Sequence, residues 1–188
     1  MPIQAGSLRH RVDLQSSTAA ANVYGEEVET WVTDSVIFAS VAPLIGKELT
    51  DAQSVVANTS HKVFVRYKSA KNISTQQRFL IPRQVGSLGA SIDDDGATVS
   101  ITVSDADDIS DLGDFIIRID SENMIVTAGQ GTTTWTVTRG AFGTTGATHA
   151  NGATVTKLVA LEIKTIANIK EKNEFLRLDC MESTSQIG

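Results

Sequence analysis

Residues 77–81, Gln-Arg-Phe-Leu-Ile, have the apolar content of a buried strand, and a strand needs a partner beside it. The following residues do not supply one, because the run passes into Pro82 and then Gly86-Ser87-Leu88-Gly89. A run of matching character, "ALEIKTI", comes only at residues 160–166. Pairing these two runs puts a whole inserted unit where a tight turn would stand. Loop closure entropy rises only logarithmically with length, so an insertion whose ends lie close together costs little. Exposed loop tips tolerate insertions best, so the unit is expected to project from the outside of its parent.

Charge changes at the same two places. Residues 84–157 carry 3 Lys or Arg against 10 Asp or Glu, a balance of −7, while the flanks together carry 13 against 12. The middle is also rich in Gly, Thr and Asp. Composition and charge shifting together imply two modules: a discontinuous parent at residues 1–82 and 158–188, and an insertion at 83–157.

Periodicity supplies the fold class. "RHRVDLQ" (9–15) alternates His10, Val12 and Leu14 with Arg9, Arg11 and Asp13, the pattern of a half-buried strand. "VETWVT" (28–33) alternates as well, and "SVIFASVA" (35–42) is almost continuously apolar or small, as in a strand covered on both faces, with Asp34 and Ser35 as the turn between them. "HKVFVRYK" (61–68) alternates Val63, Val65 and Tyr67 with Lys62, Arg66 and Lys68, although Phe64 breaks the polar side. "EFLRLDCM" (174–181) follows "ALEIKTI" through the polar hairpin loop "NIKEKNE". Only "GKELTDAQSVVA" (46–57) has helical spacing outside the middle, with Leu49, Ala52 and Val56 on a thin stripe. Such a stripe either packs on a sheet or finds its contacts in another subunit.

Inside the insertion, "ATVSITV" (97–103), "DFIIRID" (114–120), "NMIVTAG" (123–129) and "TTTWTVTR" (132–139) are strands separated by turn signals at 129–131 and 151–152. Phe115, Ile117, Met124 and Trp135 are its candidate core. A unit of this size has a marginal core by itself and is expected to lean on a neighbour.

The chain's 188 residues, 41% of them hydrophobic, are enough for one sizeable core or two modest ones. No charged segment leads into an apolar one at the start, and no apolar run nears the roughly 18 residues of a membrane span, so a soluble chain is expected. The single cysteine, Cys180, permits no internal disulfide and fits a reducing cytoplasm.

Chemical motifs are weak. The glycines of "RGAFGTTG" (139–146) lack the Gly-Lys-Ser/Thr of a phosphate-binding loop, so turn geometry accounts for them better. The acidic stretches at 93–96 and 104–114 do not have the ligand spacing of a calcium loop and are read as solvated turns. His10, His61 and His149 lie in separate segments without zinc-ligand spacing, and neither Cys180 nor any Ser has an activating partner pattern. No cofactor, no metal and no catalysis are expected. Lys62, Arg66, Lys68 and Lys71 form a local basic patch facing either nucleic acid, without sequence readout, or an acidic protein surface, which is preferred.

Joined across the insertion, the parent reads "AGSLRHRVDLQ", then "WVTDSVIFASVAPLIGKELTDAQ", "SHKVFVRY" and "ALEIKTIANIKEKNEFLRLDC". This pattern resembles the tailed-bacteriophage head-tail joining family, the head-closure or stopper connectors of the virion neck. It departs from the family where a short turn is replaced by residues 83–157. The resemblance implies a mainly β fold: a small β-barrel-like connector domain with one short helix, interrupted by a β-rich insertion. It implies a ring, by portal symmetry a dodecamer, assembled in the host cytoplasm beneath the portal and its adaptor. That ring closes the DNA channel and offers a surface to a tail terminator or tail-completion protein, with no membrane involved. It also implies that the connection Leu44–Ser60 points into the channel as a gate, carrying Leu44, Ile45, Gly46, Lys47, Glu48, Leu49, Asp51 and Gln53; a helix covering one end of the barrel is the alternative. The stretch "RIDSENMIVTAGQGTTTWTVTRGAFGTTGATHANGATV" (118–155) is similar to a Thr/Gly-rich unit of phage structural proteins, which implies a surface or inter-subunit decoration or a structural filler. A virion module whose insertion binds a host glycan or receptor is the competing function. The insertion's few aromatics, Phe115, Trp135 and Phe142, argue against it.

Overall fold

The computed structural model describes residues 5–21, 24–25, 27–45, 59–93, 96, 98–104 and 113–183. The helical segment expected at 46–57 lies outside them. The fold is mainly β: β1 (His10–Ala21), β2 (Glu27–Pro43), β3 (His61–Arg66), β4 (Gln77–Leu88), β5 (Thr98–Ser104), β6 (Phe115–Ile119), β7 (Glu122–Ala128), β8 (Thr134–Thr138), β9 (Thr154–Asn168) and β10 (Phe175–Glu182). Two compact units divide the chain, one of Met1–Ile81 with Ala160–Thr184, the other of Pro82–Val159.

In the first unit the strands follow the order β1-β2-β3-β10-β9-β4, and β4 pairs again with β1 from Asp13↔Leu80 to Ser16↔Gln77. The six therefore form a closed ring, in which each strand pairs on both sides over part of its length. Its interior is filled by the alternating inward residues Val12, Leu14, Ile37, Val63, Val65, Phe79, Ile163 and Leu178, all buried.

In the second unit the ladder runs β4-β5-β8-β7-β6-β9. Leu88 of β4 donates to the carbonyl of Ala153 and accepts from Gly152, bringing the ladder back on itself. Phe115, Ile117, Met124 and Trp135 all lie in its core. The rings of Phe115 and Trp135 meet edge to face, 5.3 Å between centroids. The indole N–H, which burial would otherwise leave unpaired, donates to the carbonyl of Thr132 at 2.8 Å.

Four expectations are corrected. Residues 28–33 and 35–42 are one strand, and Asp34 is no turn. Pairing steps from Leu14↔Ser35 to Gln15↔Thr33, so Asp34 is the extra residue of a β-bulge, which tolerates a polar side chain without ending the ladder. The 77–81 run does not stop at Pro82 but continues to Leu88, and the 160–166 run begins at Thr154; the insertion thus prolongs two strands rather than growing from a loop tip. Asp13 is buried, because β1 is covered by β4 as well as β2. The outer side of 35–42 is not covered within the subunit, since Val36 is 44% and Phe38 62% exposed.

Candidate assembly surfaces and buried polar networks

On β3 the side chains of His61, Val63 and Val65 are buried, while Lys62 and Phe64 are half-buried and Arg66 is exposed on the other side. Lys62 and Arg66 thus share one face. Lys68 and Lys71 follow in the connection to β4 and are exposed. Flanking strands add what single-strand periodicity does not show. On β10, Phe175 lies opposite Arg66, Arg177 opposite Phe64 and Asp179 opposite Lys62. On β2, Ser40 lies opposite Phe64, and Phe38, two residues earlier on the same side, faces Arg11 of β1. The basic patch is therefore a mixed aromatic and cationic face, and Phe64 belongs to it. Beside it, Leu8, Ser35, Val36, Ile37, Phe38, Arg66 and Ser69 line a shallow depression.

Of the residues expected in a gate, Leu44 and Ile45 are described, and Gly46, Lys47, Glu48, Leu49, Asp51 and Gln53 lie outside the described residues. Leu44 is buried, whereas Ile45 is 75% exposed, so the chain leaves the core between them. The Leu44 N–H donates to the Ser60 carbonyl at 2.9 Å, and the Ser60 N–H donates to the Cys180 carbonyl at 2.9 Å. Both ends of the connection are thereby tied to the ring. The Cys180 thiol is fully buried, and burial followed by the neighbouring Asp179 charge pushes it well above the usual thiol range.

Where β1 closes on β4, polar residues replace hydrophobic ones. Arg78 and Gln15 are opposite one another and buried, and the Arg78 Nε–H donates to Gln15 Oε1 at 2.9 Å. Gln15 in turn donates to the Thr33 hydroxyl at 3.2 Å. Trp31 lies under the Arg78 guanidinium. Desolvation pulls the Arg78 guanidinium down to about 10, against the opposing pull of Glu162 and Glu29, and it stays a cation at neutral pH. Asp34, in its bulge, accepts from the Ser16 hydroxyl at 2.8 Å and from the Gln77 amide at 3.1 Å, so the bulge bonds to β1 and, across it, to β4.

The second unit has a denser network. Glu122 is fully buried at the start of β7. Its carboxylate accepts from Arg139 at 2.7 and 3.1 Å, from the backbone N–H of Gly140 at 3.0 Å and Ala147 at 2.9 Å, and lies 2.9 Å from His149 Nε2. The other His149 nitrogen is 2.8 Å from Asp120. Arg139 also donates to the carbonyls of Asp93 and Ala147. Burial alone would push the Glu122 carboxyl up, but the bonds from Arg139, His149, Ala147 and Gly140 outweigh it and hold it at about 2. Gly140, at φ 64°, takes the left-handed conformation that turns its N–H inward. The glycine-rich loop does cradle an anion: the side chain of Glu122. Arg139 and His149 lie 17 and 27 positions after Glu122, and no local pattern in the sequence joins the three.

Among the described residues, no group of three or more His, Cys, Asp or Glu side chains is arranged to hold a metal ion. Residues 94, 95 and 105–112 of the acidic stretches lie outside the described residues. Among the described residues, no helix is long and apolar enough to cross a membrane.

A family model described as phage head completion protein matches residues 3–97, just over half of the chain. The chain belongs to the phage head completion protein family. Head completion proteins are structural proteins of the phage virion rather than enzymes, and they act with other head and tail proteins at the neck. The match includes all of β1 to β4 and ends in the acidic stretch before β5. No curated protein matches the chain.

Proposed function

We propose that this head completion protein is a ring-forming connector of the phage neck, assembled in the host cytoplasm. It sits under the portal and its adaptor, stops the DNA channel after packaging and presents a docking surface to a tail terminator or tail-completion protein. Membership in the head completion family carries the proposal. In it, residues 1–82 and 158–188 act as the connector, and 83–157 form an added unit that contacts its own ring or a neighbour.

The connection after Leu44 is the gate. Its support is the clamp from Leu44 to Ser60 to Cys180, which ties both ends of the segment to the ring. Lys47, Glu48, Asp51 and Gln53 supply its polar side, and Leu49 its contact within or between subunits. Lys62, Arg66, Lys68 and Lys71 serve chiefly in protein–protein pairing, with packaged DNA touched only non-specifically. The glycan alternative is the weaker reading, because two of the insertion's three aromatics, Phe115 and Trp135, are core residues and offer no platform.

The test is electron microscopy of lysates from a phage with an early stop codon in this gene. Separate heads and finished tails, with heads that have lost DNA, are the expected result. Complete particles that fail only at adsorption would overturn the connector role.

A further inference from the structure

β1 and β2 run on beyond their other partners. β4 pairs with β1 only as far as Ser16, and β3 pairs with β2 only over Ala39–Pro43. From Ser17↔Trp31 to Ala21↔Glu27, the two strands pair with each other alone among the described residues. An isolated two-stranded ribbon is marginally stable in water, so this arm gains by packing against something. Its character is defined. Tyr24 near the tip is 88% exposed, Glu27 and Glu29 are exposed, and the sequence has no Lys or Arg between Arg11 and Lys47.

The complementary surface lies on the same unit. Phe38 is 62% and Val36 44% exposed, with Arg11 opposite Phe38 and Arg66 lining the same depression. The chain's own arm does not reach it. The unbroken β1–β2 ladder, with its one bulge, puts Glu27 eleven residues from Phe38 along one strand, roughly 35 Å away at the rise of an extended chain. A matching arm has to come from another molecule.

We propose that the acidic β1–β2 arm of one copy seats on the Phe38 face, between Arg11 and Arg66, of a second copy. Arm and face are different patches, so the contact is head-to-tail and propagates around a closed ring. The inference rests on the ring-forming reading above and names the contact that builds the ring.

Cross-linking in assembled particles tests it with the full-length protein. Phage carrying Tyr24→Cys together with Phe38→Cys are oxidised mildly and run on a non-reducing gel; the native Cys180 is buried and silent. A ladder of covalent multimers, absent from either single variant, is expected. Monomer alone, or a link within one chain, from particles that contain the protein and carry tails would overturn the arm contact and leave the neck role standing. Particles with normal tails and no copy of the protein would overturn both. Charge reversal gives an independent check: Glu27→Lys and Arg66→Glu each lower the titre about tenfold or more, and combining them restores it, as expected for a direct charge pair. No restoration, with both variants folded, would overturn the contact.

Discussion

The Arg78 guanidinium lies over the Trp31 ring, its carbon 4.1 Å from the ring centroid, and ties β4 to β2 across the intervening β1. The cation is buried against an aromatic face and bonded to Gln15, so the strand that closes the ring is held by a charge with a fixed direction.

Arg78→Ala leaves Gln15 short of its donor and Trp31 facing a void, and is expected to cost about 3 kcal/mol. Arg78→Lys keeps the charge but loses the planar fork and the stacking, at about 1–2 kcal/mol. Urea unfolding followed by Trp fluorescence checks the order; equal midpoints for the two variants would show that only charge matters there.

Glu122 makes stability depend on acid. Its carboxyl sits at about 2 in the fold against an ordinary 4.5, so its contribution is complete above about 4.5 and is lost as pH falls toward 2. Calorimetry between pH 7 and pH 2 should show Tm falling through that window. Glu122→Gln should start lower at pH 7, by on the order of 2–3 kcal/mol, and fall less on acidification. A parallel descent of both proteins would remove Glu122 as the cause.

Gly129, directly after β7, sits at φ +85°, and a Cβ there would lie 2.1 Å from the Thr134 carbonyl oxygen. Gly129→Ala should therefore destabilise by at least about 2 kcal/mol, since backbone has to move. Gly131, at φ +80° with open space around it, should cost only about 1 kcal/mol on the same change. Thermal melts of the two variants compare clash with conformational preference alone.

Cys180 should resist alkylation. Its thiol is buried and its ionisation pushed up, so iodoacetamide should modify it only after denaturant unfolds the ring. Rapid labelling in buffer, detected by mass, would mean that β10 opens locally.

Replacing residues 46–57 by a Gly/Ser linker of equal length should leave Tm within a few degrees, because Leu44 and Ser60 fasten both ends to the ring. Particles carrying that change should join tails but lose DNA. Retained DNA would take the gate out of this connection.

Sequence alone determined that these segments become strands and, in several of them, which side goes inside. Alternation put Val63 and Val65 in the core, and the insertion's core was legible as Phe115, Ile117, Met124 and Trp135, because period and burial are set by each strand's own side chains. Partners and irregularities belong to the tertiary structure. Asp34 reads equally as turn or bulge until β1 lies beside it, and Phe38 reads as buried until its outer side proves uncovered within the subunit. Glu122, Arg139 and His149 stand 17 and 27 residues apart from the first, so nothing local announces that one carboxylate gathers the rest. Short-range sterics and hydrophobicity write a period into the chain; strand register and buried polar contacts are settled only when distant segments exclude water from between them.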